Sequence, residues 1–478
     1  MSSDSSSPGS HWRLLSAPLA RLSNNPLSLI GVIFVTTAGV LWLFLLPVYV
    51  RGQVAHPYMG ILLFLIIPGI FFAGLALIPL GIWLRYRRER KLGPVAWTEP
   101  ARWNMVDVRR IVFFVGVTTL ANLAIGSQLS YRAVSYMDSV TFCGLTCHKI
   151  MIPEYTAYQQ SPHSRVECVG CHIGPGASWF VKSKMSGLNQ VFNYALNTYP
   201  RPIPTPVTSL RPARETCEAC HWPQRFSGDR LRVINKYGDD EKNSMTRTVL
   251  MMHVGGGNGG IGIHGRHVGA GEEVEYASDP SRQKIEWVRY KAPDGKVTVY
   301  RAADAKAGVE NALEHRVMDC IDCHNRPSHN YELPQRAVDE AFGKGLVPAS
   351  LPFIHKEGLE VIQRQWKTHD DGMAGIPAAI TAFYKQNYPD APAGDVKRAG
   401  EALATVWGRN VYPELRIKWG TYPNNLGHMD FPGCFRCHDG SHTSASGETI
   451  SQDCDTCHNV LAVEEAAPKI LTELGVGQ

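Results

Sequence analysis

Two haem-type motifs follow an apolar run in residues 111–172, and this stretch decides how the chain is read. IVFFVGVTTLANLAIGSQLSY (111–131) is uncharged; Cys143-Gly144-Leu145-Thr146-Cys147-His148 comes twelve residues later, and Cys168-Val169-Gly170-Cys171-His172 after that. C-x-x-C-H is the attachment signal of a c-type haem. Two thiols about one helical turn apart form thioethers with the porphyrin, and the adjacent imidazole takes one axial position of the iron. The same pattern recurs as Cys217/Cys220-His221, Cys320/Cys323-His324, Cys434/Cys437-His438 and Cys454/Cys457-His458, so all 12 cysteines fall in six pairs. With 18 His in the chain, six chance placements directly after the second cysteine would be on the order of 10⁻⁸. Zinc knuckles need no following His and disulfides need no such spacing. The first motif is one residue wider, and the longer loop still spans the two vinyl groups. Six covalently bound c-type haems are expected.

Outward from that stretch the chain divides sharply. Residues 2–10 are mostly Ser with Gly and Pro and read as a disordered tail. Residues 26–50 and 58–84 are two further uncharged runs, and each of the three is long enough to cross a bilayer. The net charge of +5 arises entirely in residues 85–110, where eight basic side chains meet three acidic ones. That loop therefore faces the cytoplasm, and everything after Tyr131 lies outside. Covalent haem attachment in bacteria is extracytoplasmic, which agrees. The expected location is the bacterial inner membrane, multi-pass, with the haem domain in the periplasm. Nothing in the charge pattern suggests nucleic acid. None of the three runs contains His, so b-type haems cannot be bound inside them.

The expected fold is mainly α with long irregular haem-binding loops: three transmembrane helices, then an extracytoplasmic multihaem domain with a small β-hairpin insert. Its parts are a cytoplasmic tail (1–25), a membrane anchor (26–131), a domain with motifs 1–3 (132–230), an insert (231–315) and a C-terminal domain with motifs 4–6 (316–478). In the insert, residues 284–291 and 296–301 alternate in polarity around Pro293-Asp294-Gly295, a hairpin signal. Residues 334–420 read as four helices broken by Pro and Gly, and the tail from Ala462 as a short helix. The Gly-rich run 255–262 lacks a phosphate Lys and strand–loop–helix spacing, so it is not a nucleotide loop.

Each low-spin haem needs a second axial ligand besides His148, His172, His221, His324, His438 and His458. His163, His264, His329, His428 and His442 lie in loops close to a motif and are the expected distal ligands. Met151, after the first motif, is the candidate thioether ligand for the sixth, or else it simply packs at the membrane interface. His253, His267 and His315 are reserves; His355 and His369 read as ordinary helix-surface residues.

Residues 108–225 resemble the NapC/NirT family of membrane-anchored multihaem cytochromes. The match rests on basic residues before one apolar helix, a haem motif with a nearby Met, Ser161-Pro162-His163, the second motif, and the Lys182/Lys184 segment. The resemblance implies oxidation of menaquinol or ubiquinol at the periplasmic face beside the first haem, with electrons passed to a periplasmic acceptor protein. It also implies a Lys near the quinol, which Lys184 matches best, with Lys182 in reserve. The chain departs from the family in having six motifs, three apolar runs, a widened first motif and Met151 one residue further on. Its longer layout resembles the inner-membrane multihaem quinol-oxidising cytochromes of metal-respiring bacteria. Two other readings stay open: an anchored electron conduit whose partner membrane subunits oxidise quinol, and a terminal reductase. An intact mass of the purified protein should show six haem additions; five would remove the widened motif at Cys143/Cys147 from the set.

Overall fold

The computed structural model describes residues 24–50, 66–91, 109, 128, 131–132, 134–146, 149–174, 177–207, 210–222, 228–256, 262–306 and 308–476, without the side chains of 44–50, 177, 178, 180, 181, 184, 188 and 191. The chain forms two compact units, Met1–Met137 and Asp138–Gln478.

In the first unit, α1 (Pro26–Val50) and α2 (Ile67–Lys91) are long and apolar enough to cross a bilayer. They pack on a seam of small residues. A Cβ on Gly31 would lie 2.8 Å from the Gly74 carbonyl oxygen, and one on Gly74 equally close to that of Gly31. Ser28 donates its hydroxyl to the Ile78 carbonyl at 3.0 Å. Between lipid-facing helices there is little hydrophobic drive, so close backbone approach and such hydrogen bonds supply the attraction. Leu29, Ile33, Phe34, Phe72, Leu75 and Trp83 stay exposed, as a lipid-facing surface requires. The helix α2 continues past its apolar part into Arg85, Arg88, Arg90 and Lys91. Of the expected third span, 111–131, all but residues 128 and 131 lie outside the described residues.

The second unit mixes helices with two antiparallel sheets, more β-structure than the expected hairpin alone. Its helices are α3 (Ile152–Gln159), α4 (Cys168–His172), α5 (Ala177–Ala195), α6 (Ala213–Cys217), α7 (Gly262–Val268), α8 (Cys320–Cys323), α9 (Pro334–Gly343), α10 (Ile354–Ile362), α11 (His369–Asn387), α12 (Ala393–Asn410) and α13 (Lys469–Glu473). Strands β1 (Arg230–Tyr237), β2 (Met245–Met252) and β8 (His458–Glu465) form one sheet in the order β1-β2-β8. The other has the order β6-β3-β4-β5-β7, with β3 (Glu273–Ser278), β4 (Ile285–Lys291), β5 (Val297–Arg301), β6 (Glu314–Val317) and β7 (Thr443–Ser444). The β4–β5 hairpin is the one its alternating pattern announces. The flanking strands were not foreseen, because β6, β7 and β8 are short or adjoin a motif and carry little periodicity of their own. Residues 458–465 are a strand, which takes the first four residues of the tail expected to be helical from Ala462; the helix follows at Lys469–Glu473. Both sheets also join residues before 315 to residues after 440, so the insert and the C-terminal haem region share hydrogen bonds.

Helices α9–α12 enclose one apolar core. Along α12, Val396, Ala399, Gly400, Leu403, Ala404 and Trp407 are buried, the spacing of one helix face. Gly372 of α11 is there because a Cβ would sit 2.3 Å from the Trp407 ring. The N-terminus of α11 is capped by the Thr368 hydroxyl, which accepts from the Asp371 N–H at 3.0 Å.

His355 joins this helical lobe to the β1–β2 turn. It is 1% exposed, not the surface residue its sequence suggested. Its Nδ1 lies 2.8 Å from Asp239 Oδ1 and its Nε2 3.1 Å from Asp339 Oδ1. Burial opposes charge on the ring, but the carboxylates of Asp339 and Asp239 outweigh it and raise the pKa above the ordinary histidine value. A raised folded-state pKa contributes stability that is full below about 6.5 and is lost as pH rises through the folded value. Thermal unfolding should therefore show Tm falling as pH is raised above about 6. His355→Gln should cost about 1–3 kcal/mol at low pH and flatten that slope; a slope unchanged in the variant would contradict the assignment.

Candidate haem-binding site

The attachment motifs fold as short helical turns, which brings two thiols and an imidazole to one side. Cys168–His172 is one turn of α-helix. In α8 the turn is stabilised at its start by a capping box: Asp319 accepts from the Cys320 N–H at 2.7 Å, and Asp322 accepts from the Asp319 N–H at 2.6 Å. Cys434 and Cys454 each open a 3₁₀ turn or lie within one. The sheets deliver three of the motifs. Strand β6 runs into α8, β7 follows His442, and β8 begins at His458 itself, which is in register with Met252 of β2.

Five motif histidines face a second histidine. Ring centres are 5.9 Å apart for His221 and His163, 6.1 Å for His172 and His329, and 6.2 Å for His324 and His264. The separation is 5.8 Å for His438 and His267, and 6.1 Å for His458 and His428. Two imidazoles bound to opposite faces of one metal place their ring centres about 6 Å apart, since each metal–nitrogen bond is about 2 Å and each nitrogen lies about 1 Å from its ring centre. The residues present thus fit a group with two axial positions. Several rings are also held by Nδ1: His163 on the Pro327 carbonyl at 3.1 Å, His329 on that of Glu154 at 3.0 Å, His267 on that of Ile263 at 2.7 Å and His438 on that of Ser451 at 2.6 Å. A carbonyl at Nδ1 fixes the tautomer with its lone pair on Nε2, the form that binds a metal. Among the described residues no group of three or more His, Cys, Asp or Glu gathers as a bare-metal site.

The motifs follow one another in space as they do in the chain. Cys168 lies within hydrogen-bond reach of Cys143. Cys171 neighbours Cys217 and Cys220. Cys217 lies within hydrogen-bond reach of Cys320, and Cys323 neighbours Cys434. Cys457 in turn lies within the field of Cys434.

The sequence expectations for the second ring met different outcomes. His163, His264, His329 and His428 all face a motif histidine, although His163, His329 and His428 face one from a different motif than the one next to them in the chain. His442 does not. It is 1% exposed, with Nδ1 2.9 Å from Asp439 Oδ1 and Nε2 3.0 Å from the Ile285 carbonyl. Both ring nitrogens are spent, because β7 starts at the next residue and turns His442 into the sheet. His267, held only in reserve, faces His438 instead. The signal was in Gly262-Ile263-His264-Gly265-Arg266-His267: an i, i+3 spacing puts both imidazoles on one face of α7. Met151 ends the 3₁₀ turn Lys149–Met151 and is half-buried; Cys147 and His148 lie outside the described residues. Lys182 sits on α5, exposed, with its Nζ 4.8 Å from the centre of the Trp179 ring. Lys184 is on the same helix, and its side chain lies outside the described residues.

Comparison with known proteins agrees with this geometry. The NapC/NirT cytochrome c family, N-terminal region, matches residues 105–202. The cytochrome c-type protein ImcH of Geobacter sulfurreducens is 38% identical over 447 residues, 91% of this chain and 88% of that protein. The cytochrome c-type protein TorC of Escherichia coli is 28% identical over 109 residues, 22% of this chain and 26% of that one. No solved structure matches. With a relative so similar across nearly the whole of both chains, and with haem-type motifs throughout, the protein belongs to the NapC/NirT-related family of membrane-anchored multihaem c-type cytochromes that includes ImcH, and its function is electron transfer.

Proposed function

We propose that the protein binds six haems, oxidises menaquinol or ubiquinol at the periplasmic face of the inner membrane and passes the electrons to a periplasmic or outer acceptor. The observation that carries this reading is the set of five imidazole pairs at about the separation of two axial ligands. In this reading the second haem is held by His172 and His329, the third by His221 and His163, and the fourth by His324 and His264. The fifth is held by His438 and His267, and the sixth by His458 and His428. The first takes His148, with Met151 as its second ligand, and Cys143 and Cys147 as its attachment points. When bound, these groups supply one-electron chemistry along a single file of neighbouring sites.

Entry at the lipid boundary is supported by the run 111–131, which ends twelve residues before Cys143. A lipid-soluble quinol needs its site at that depth. It is supported too by α5, which exposes Met185, Phe192, Tyr194 and Leu196 beside Lys182. Aromatic and apolar side chains with a basic neighbour suit a membrane interface. A lysine there would favour the quinol anion; Lys184 is the proposed residue, with Lys182 as reserve.

Two measurements test this. His267→Met should convert one haem of six to mixed His/Met ligation and raise its potential, whereas His442→Met should leave every haem spectrum unchanged and lower Tm. The opposite pattern would restore His442 as the ligand. A menaquinol analogue added to the detergent-solubilised protein should reduce the haems, and Lys184→Ala should slow that reduction by about tenfold or more, as loss of one charge-assisted contact allows. Absence of reduction in the wild type would favour the conduit reading; a normal rate in the variant would remove Lys184 from the site.

A further inference from the structure

Arg436 stands inside the fifth motif, Cys434-Phe435-Arg436-Cys437-His438, and is 9% exposed. Its donors go to backbone carbonyls. Nε donates to Gly433 at 2.9 Å, Nη1 to Arg282 at 2.6 Å and Nη2 to Asp322 at 2.8 Å. Asp322 belongs to the fourth motif, so this side chain ties two attachment loops together. Gly433 makes the approach workable: its φ is +50°, and a Cβ there would strike the Gly427 carbonyl, which already accepts the Cys434 N–H at 3.0 Å.

The charge of Arg436 has no carboxylate paired to it among the described residues. The nearby buried acid, Asp322, is otherwise engaged, accepting from Arg316 Nε at 2.7 Å, the Tyr276 hydroxyl at 2.8 Å and the Asp319 N–H at 2.6 Å. Arg282 lies a further 3.8 Å from it. The two residues hold the same place in their motifs, directly before the second cysteine. The other four motifs have Thr146, Gly170, Ala219 and Thr456 there.

A buried cation favours whichever state of a neighbouring group carries less positive charge, and low dielectric strengthens the effect. For a haem that is the reduced state. We propose that Arg436 sets the potential of the haem on Cys434/Cys437 above that of its neighbour on Cys320/Cys323, while its hydrogen bonds fix the separation of the two loops. One electron leaves the fourth site, which is oxidised, and enters the fifth, which is reduced; no bond or proton changes place. The step is thereby biased away from the membrane end of the file. Asp322, neutralised by two guanidiniums, opposes this only weakly. The inference rests on the reading of both motifs as haem attachments.

Redox potentiometry of the full-length protein, with haem content measured beforehand, tests it. Arg436→Gln should lower one of the six midpoints by about tenfold in the reduced-to-oxidised ratio, about 59 mV for one electron. Arg436→Lys, which keeps the charge and loses the fork, should leave it near the wild-type value. Asp322→Asn leaves Arg436 in place and should raise a midpoint without lowering any. Unchanged midpoints in the Gln variant at full haem content, an equal fall in the Lys variant, or a fall in the Asn variant would each overturn the assignment. Wild-type protein lacking haem on Cys320/Cys323 or Cys434/Cys437 would instead remove the underlying reading.

Discussion

Two imidazoles that share one metal must stand at a fixed separation, and in the function proposed here that separation is the constraint on which the second unit depends. Five times, from five different pairs of segments, two imidazoles are brought to within a few tenths of an ångström of the same spacing. The pairs are seldom local. His329 reaches back past four helices to His172, and His163 faces His221 across the second motif. Each pair is therefore a long-range tie between parts of the chain whose own secondary structure is short.

The rest of the scaffold serves to hold those loops in a file. The five-stranded sheet presents β6 and β7, which lead into the fourth motif and out of the fifth. The three-stranded sheet presents β8, which starts at the last motif histidine. Arg436 and Asp322 close the gap between the fourth and fifth loops from inside, and Phe435 stacks on His428 at 4.2 Å, which links the fifth loop to the His428–His458 pair. The helical lobe contributes no motif. Its connection to the three-stranded sheet through His355 gives that sheet a rigid backing.

The chemistry was legible in the sequence because covalent attachment demands a local pattern. Two thiols and an imidazole must be near one another in the chain, and they were found there. The second axial ligand obeys no such rule. His442 sits four residues after His438 and looked suitable, yet a strand begins at the next residue and both its nitrogens are consumed. His267, some 170 residues away in the chain, faces His438 instead. The four long helices of 334–420 were readable from their breaks and apolar spacing. Strands β6, β7 and β8 were not, since their pairing partners lie far away and their own few residues show no alternation. His355 was misjudged for a related reason: a helix position says nothing about which distant carboxylates will surround it.

Iron anomalous diffraction from crystals of the full-length protein locates the irons directly. One peak is expected between the rings of each of the five histidine pairs, a sixth beside His148, and nearest-neighbour peaks that follow chain order from the first motif to the last. A peak against His442, or neighbours that depart from chain order, would contradict this arrangement.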